Sequence, residues 1–168
     1  MNTAVEGHAE LDAQIGELAV QLLGVFASDA DNLPALIYAL GSEVSSPEPH
    51  PDGDVWSLGY YVQDRALVIR KPGELLDSRQ FYELAPTVKS HTMLGFISDG
   101  QVNTPHTPPH RFRNWLFGAM GQYEGLEILR DKIQDRLPGF IKSELGFETG
   151  SELAFGMFLR ELHDRNLL

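Results

Sequence analysis

The apolar residues of this chain alternate between strand-like and helix-like spacing, which predicts a mixed α/β fold. Val55 to Val62 and Ala66 to Lys71 are two strand-like runs on either side of Gln63 to Arg65, so they predict a β-hairpin. Met93 to Ile97 and Trp115 to Phe117 are short apolar runs of the kind that form inner strands.

Two helices are predicted in the last third of the chain. Pro138 and Gly139 are expected to end or kink the first, whose apolar stripe is Leu126, Leu129, Ile133 and Leu137. Thr149 and Glu152 have the Thr-x-x-Glu spacing of a capping box, so the second helix is expected to begin there. The apolar positions of this second helix are Leu153, Met157, Phe158 and Leu162.

The first half of the chain is less regular. Leu18 to Phe26 fits a buried strand, but it also continues a helical stripe formed by Leu11, Ile15, Leu18 and Leu22. Asp31 or Asn32 is expected to cap a short helix from Pro34 to Leu40. The other predicted elements are a loop over Ser42 to Asp54 and a helix from about Asp77 to Ala85.

Length and composition narrow the class of protein. A chain of 168 residues with 42% hydrophobic content is expected to form one domain with a sizeable core. Acidic residues outnumber basic ones by 24 to 13, for a net charge of -11, and the basic residues form no run that could neutralise a phosphate backbone. The sequence therefore argues against a nucleic-acid partner.

The sequence also bears on compartment and on cysteine chemistry. No apolar run approaches the roughly 20 residues that span a bilayer. Met1 to Gly16 lacks the pattern of a signal peptide, so the expected compartment is the cytoplasm. Cysteine is absent, which excludes disulfides, thiolate metal ligands and thiol nucleophiles.

Five segments follow one another in an order that resembles the class II glutamine amidotransferases, N-terminal-nucleophile hydrolases that release ammonia from glutamine. They are LLGVF (22–26), HPDGDVWSLGYY (50–61), Ser98-Asp99-Gly100, TPPHRFRNWLFGAMG (107–121) and ETGSELAFGMFL (148–159). The resemblance implies a partial αββα sandwich over residues 20–168, preceded by an N-terminal extension of residues 1–19.

The same resemblance implies that the catalytic residues are missing. Val20 stands at the position of the nucleophile and Gly95 at that of the arginine that binds the glutamine carboxylate. Met120 replaces the asparagine of the oxyanion hole, and Gly150 replaces the aspartate that holds the ammonium group. An isopropyl group cannot attack a carbonyl and a thioether donates no hydrogen bond. The implied vestigial substrate pocket is Val20, Gly95, His106, Met120, Gly121 and Gly150.

Other catalytic or metal sites have little support in the sequence. His106 and His110 lie near Asp99, but i to i+4 spacing brings side chains together only on a helix, which the prolines between residues 105 and 109 exclude. A Ser98–His–Asp99 triad lacks the Gly-x-Ser-x-Gly context. No metal or cofactor is therefore expected. If the resemblance is set aside, Val20 is a core residue and Gly95 a strand glycine.

These features predict a non-catalytic protein that acts as a protein-binding, scaffolding or regulatory subunit. The alternative is a sensor of an amino-acid-like small molecule, or a hydrolase, that uses the remodelled pocket. The resembling family continues with further strands after the last helix, so Met1 to Ala19, another protein subunit or self-association is expected to cover that helix. The candidate interface is Leu153, Met157, Phe158 and Leu162. The acidic net charge favours a partner surface that is basic or neutral.

We expect the purified chain to show no glutaminase activity. Loss of one oxyanion donor typically lowers the rate by about 10²–10³-fold, and loss of the nucleophile removes the acyl-enzyme route. Ammonia release from glutamine, measured in a coupled assay, should equal the buffer background. Release above that background that a Met120→Ala or Ser98→Ala substitution abolishes would contradict this expectation.

Overall fold

The described part of the chain has a mixed α/β fold with antiparallel sheets. The computed structural model describes residues 21–35, 37, 54–72, 83–99, 106–121 and 123–168. The predicted extension over residues 1–19 and nearly all of the loop predicted over Ser42 to Asp54 lie outside these residues. No helix in the described ranges is long and apolar enough to cross a bilayer.

Four strands form the larger sheet in the order β1-β4-β2-β3. Their bounds are Gln21–Phe26 (β1), Asp54–Val62 (β2), Arg65–Pro72 (β3) and Thr92–Asp99 (β4). The predicted hairpin is confirmed, since β2 pairs with β3 around a turn in which Gln63 has a φ of 54°. The predicted inner strand Met93 to Ile97 is also confirmed, because β4 pairs with β1 on one side and β2 on the other. The ambiguous N-terminal stretch is a strand from Gln21 onward.

One face of the larger sheet holds the first hydrophobic core. Trp56, Leu58 and Tyr60 alternate along β2 and point to this face together with Met93 of β4. Helical residues 33–35 and 37 cover the face, and the buried side chains there include Leu33, Ile37 and Val88. Complete burial of such an apolar side chain stabilises the fold by about 1.5–3 kcal/mol.

The start of this covering helix differs from the prediction. Helical residues begin at 33, one residue before Pro34, after a 3-10 turn over Ala30–Asn32. Asp29 caps that turn, because its side chain accepts a hydrogen bond from the Asp31 backbone at 3.0 Å. Asp31 instead forms an exposed ion pair with Lys89 at 2.9 Å. Of the helix predicted over Asp77 to Ala85, residues 83 and 84 are helical and the rest lies outside the described residues or in a 3-10 turn.

A second, two-stranded sheet covers the other face of the larger sheet. It consists of β5 (His110–Phe112) and β6 (Trp115–Phe117). The two sheets approach so closely at Gly59 that a Cβ atom there would lie 2.8 Å from the Pro109 ring. The predicted strand at Trp115 to Phe117 is confirmed, but it is one strand of a two-stranded sheet and not an inner strand. A turn in which Arg113 has a φ of 50° folds β6 back onto β5, and Leu116 of β6 also lies against Gly59 of the larger sheet.

Four helices form the last layer, on the far side of the β5–β6 hairpin. Their bounds are Glu124–Ile128 (α1), Arg130–Asp135 (α2), Gly139–Lys142 (α3) and Gly150–Asp164 (α4). The stripe predicted on one helix, from Leu126 to Leu137, instead extends over α1, α2 and the residues beside them, since the Leu129 N–H bonds to the carbonyl of Leu126 and interrupts the helix there. Pro138 is extended and precedes α3, so the helix ends before it as predicted.

The second hydrophobic core joins the hairpin to these helices. Phe112 of β5 and Leu153, Phe155 and Leu159 of α4 are fully buried in it. The ring of Phe117 stacks on Phe155 with 4.9 Å between ring centroids. The layers therefore follow in the order helical residues, larger sheet, hairpin and helices.

The predicted capping box is confirmed at the start of α4. Thr149 Oγ1 accepts a hydrogen bond from the Glu152 backbone N–H at 3.3 Å. In return, the Glu152 carboxylate accepts from the backbone N–H groups of Thr149 at 3.2 Å and Glu148 at 2.7 Å. These contacts satisfy N–H groups that would otherwise have no partner at the helix start.

Replacement of Thr149 by alanine should destabilise the protein by about 0.5–2 kcal/mol, because the capping acceptor is lost. Thr149→Ser keeps a hydroxyl at this position and serves as the matched control. The free energy of unfolding, measured by urea denaturation, should fall for Thr149→Ala and stay near the native value for Thr149→Ser. Equal stability of all three proteins would show that the cap is dispensable.

Candidate functional site

Gly95 of the expected vestigial pocket lies in the larger sheet, whereas Met120 follows a residue that packs on the opposite face of that sheet. Gly95 in β4 lies opposite Leu58 and Leu23 on the face of the first core, where an added Cβ would be 3.5 Å from Leu58. Gly118, two residues before Met120, packs against Leu22 and Leu94 on the other face. Met120 is 43% exposed.

The remaining pocket positions have varied surroundings. Val20 lies outside the described residues. Gly121 has a φ of 144°, a conformation that favours glycine, which fits a chain turn after β6. Gly150 is the first residue of α4, and a Cβ atom there would lie 2.0 Å from the Cβ of Tyr123. Tyr123 thus fills the space that a side chain at position 150 would need.

His106 contacts the capping box. Its Nδ1 lies 3.2 Å from Oε1 of Glu152, whose other oxygen accepts the capping hydrogen bonds. The ring also packs against Gly146, where an added Cβ would be 2.8 Å from Cε1 of His106. Glu152 therefore connects the loop before β5 to the start of α4.

His110 binds the neighbouring residue of the same helix. Its Nε2 lies 2.7 Å from Oγ of Ser151, which in turn lies 3.1 Å from Oγ1 of Thr149. The sequence suggested other neighbours for these histidines, namely Ser98 and Asp99 at the end of β4 and, for His106, the vestigial pocket. The sequence feature that could have indicated these contacts is the Thr-Gly-Ser-Glu segment. Polar side chains that are buried at the start of a helix need hydrogen-bond partners.

The Ser151–His110 pair has the geometry of a hydroxyl activated by a base, but a substrate could not reach it. Ser151 is 6% exposed and His110 is 2% exposed. Neither residue lines the polar pocket described below. The pair is therefore a buried structural contact. Within the described ranges, no three His, Asp or Glu side chains are grouped so that they could hold a metal ion.

Burial makes the neutral form of His110 the stable one. Desolvation lowers its pKa from 6.5 to about 4, and the charges of Arg70 and His106 act in the same direction. The Glu152 carboxylate acts in the opposite direction and raises the pKa, but burial prevails. The imidazole is therefore neutral at pH 7.

Beside this cluster lies a polar pocket of about 350 Å³, here called the arginine pocket. Arg70 is fixed in it, because its Nε donates to the carbonyl of Thr107 and its Nη2 to that of Pro109, both at 2.7 Å. Residues that line the pocket include Val68, Arg70, His106, Arg111, Glu144 and Glu152.

A second pocket of about 340 Å³, the α2–α4 groove, lies between α1, α2 and α4. Its lining combines apolar and basic side chains. Its lining includes Leu129, Ile133 and Met157 together with Lys132, Arg136 and Arg160. Of the candidate interface residues, Met157 is 45% exposed, whereas Leu153 is fully buried in the core. Phe158 is 43% exposed and packs edge-on against Trp115.

A comparison of the sequence with protein-family models and with curated proteins gives no match.

Acid should destabilise the protein through His110. Above pH 6.5 the His110 imidazole is neutral in both the folded and the unfolded protein. Below pH 6.5 the imidazole takes up a proton in the unfolded chain, whereas in the folded protein it does so only near pH 4. The free energy of unfolding therefore falls as the pH is lowered from 6.5 to 4. The expected loss is on the order of 3 kcal/mol, because each unit of pKa difference corresponds to about 1.4 kcal/mol.

His110→Gln is the matched variant, because its amide can reach Ser151 but does not titrate. Urea denaturation between pH 7 and pH 4 should show a smaller loss of stability for this variant than for the native chain. If both proteins lose the same free energy over this range, His110 does not control the acid response.

Proposed function

We propose that this chain is a non-catalytic, glutamine amidotransferase-like protein of the cytoplasm that works by binding a partner protein. The proposed fold is a partial αββα sandwich of the N-terminal-nucleophile hydrolase type. The observed order of helical residues, sheet, hairpin and helices supports this assignment. The absence of cysteine and the occupation of the Gly150 site by Tyr123 support the loss of catalysis.

The α2–α4 groove is the observation that carries the binding proposal. Leu129 and Met157 are 43% and 45% exposed on it, and Ile128 beside it is 84% exposed. Apolar side chains grouped in a concave surface are typical of sites that receive a partner's apolar side chains. The groove has helical walls, so an amphipathic helix is the element that suits it.

The basic side chains of the groove indicate the charge of that partner. Lys132, Arg136 and Arg160 line the groove, and of these Arg160 is ion-paired with Asp164 at 3.4 Å, whereas the whole chain carries a net charge of -11. Charges farther apart than about 8 Å are largely screened at physiological ionic strength, so the basic side chains in the groove act on a bound segment more than the net charge does. The partner segment is therefore apolar and acidic, in contrast to the basic or neutral surface that the overall charge favours.

The chain itself contains a competing segment. Residues 1–19 carry four acidic residues and no lysine or arginine, and Leu11, Ile15 and Leu18 recur at helical spacing. This segment, from the same chain or from a second copy, is the alternative occupant of the groove. The experiment must distinguish it from a partner protein.

A photo-cross-linking amino acid at position 157 should capture a partner protein in the native host. The same residue at position 62 is the control, because Val62 and Met157 are both 45% exposed and Val62 ends β2 beside the β2–β3 turn. The expected result is one partner captured from position 157 only. Capture of residues 1–19 alone, or equal capture from both positions, would contradict the proposal.

Purified partner should then bind the native chain and lose affinity with groove variants. Met157→Asp and Arg136→Glu should each weaken binding by about tenfold or more, as for central interface residues. Val62→Asp should leave binding unchanged, as measured by fluorescence anisotropy. Equal effects of Met157→Asp and Val62→Asp would show that the groove is not the contact surface.

A further inference from the structure

The arginine pocket holds two guanidinium groups that form no ion pair with any carboxylate in the described ranges. Arg70 is held rigidly by the carbonyls of Thr107 and Pro109. Among the described residues, Arg111 makes a long contact of 3.4 Å from its Nη1 to the carbonyl of Ala66. Both groups therefore retain N–H donors that the described contacts do not use.

The nearest buried carboxylate is already engaged. Glu152 accepts hydrogen bonds from two backbone N–H groups and contacts His106, so its charge acts on Arg70 only from a distance. Burial lowers the pKa of Arg70, and the charge of Arg111 lowers it further, while Glu152 raises it. Glu144 and Glu152 line the same pocket, but neither forms an ion pair with Arg70 among the described contacts, so a bound anion would supply the direct counter-ion that these contacts do not provide.

We propose that the arginine pocket binds a small monocarboxylate, with its carboxylate between the guanidinium groups of Arg70 and Arg111. The planar fork of arginine matches the two oxygens of a carboxylate. Val68 and Leu145 line the same pocket and provide contact for a short apolar body. The volume of about 350 Å³ lies at the low end of the range for ligand sites, which selects a small molecule.

A single negative charge is favoured over two. Glu144 and Glu152 also line the pocket, so inorganic phosphate, which is partly dianionic at pH 7, meets stronger like-charge repulsion there than a monocarboxylate does. The site is separate from the α2–α4 groove in every lining residue, so it stands or falls independently of partner binding.

The test is isothermal titration calorimetry of the full chain at pH 7 with sodium butyrate and sodium benzoate as probes. Sodium phosphate and sodium chloride at the same ionic strength are the anion controls. The two carboxylates should bind saturably and chloride should not. Phosphate should bind more weakly than either carboxylate.

Three variants locate the site. Arg111→Gln should weaken butyrate binding by about tenfold or more, since a charged hydrogen bond is lost. Arg65→Gln makes the same charge change at an exposed position outside the pocket and should alter affinity by less than about twofold. Glu144→Gln should strengthen binding, because it removes a like charge.

The proposal is overturned if neither carboxylate binds, if chloride gives the same heat, or if phosphate binds as tightly as butyrate. It is also overturned if Arg111→Gln behaves like Arg65→Gln. Circular dichroism of each variant establishes that it is folded, and the opposite change expected for Glu144→Gln keeps the test decisive if Arg111→Gln is unstable.

Discussion

The contacts of the Glu152 carboxylate connect the helical layer to the loop that covers the larger sheet. One of its oxygens caps α4 and the other meets His106, 46 residues earlier in the chain. The adjacent Ser151–His110 contact adds a second connection between the same two segments. Because α4 is fixed at this end, its outer surface forms one wall of the groove, and its first turn borders the arginine pocket.

The positions of the charged residues in this protein bear more on what it can bind than its net charge does. Five of the thirteen basic residues line the groove or the arginine pocket: Lys132, Arg136, Arg160, Arg70 and Arg111. Under the two proposals, an acidic partner segment and a monocarboxylate would each meet basic side chains on an otherwise acidic chain. The net charge considered alone would favour a basic or neutral partner for the groove, whereas the side chains that line it favour an acidic one.

Features determined by neighbouring residues were predictable from the sequence, and features determined by distant ones were not. The β2–β3 hairpin and the Thr149–Glu152 cap follow from local spacing, and both are present. The partners of His106 and His110 depend on how α4 docks, 46 and 41 residues away. Likewise, α4 has more apolar residues than one of its faces can bury. The helical spacing of these residues therefore did not distinguish Leu153, which lies in the core, from Met157, which lies at the surface.

The contact between Gly150 and Tyr123 bears on how the proposed ancestry could be reversed. Any side chain at position 150 collides with Tyr123, whose Cβ and Cγ lie 2.0 and 2.7 Å from where the new Cβ would stand. An acidic residue at position 150 would therefore require a smaller residue at position 123 or a shift of the start of α4. Under the proposed ancestry, the acidic side chain had to be lost before Tyr123 could take its present place, so sterics fixes the order of those two substitutions.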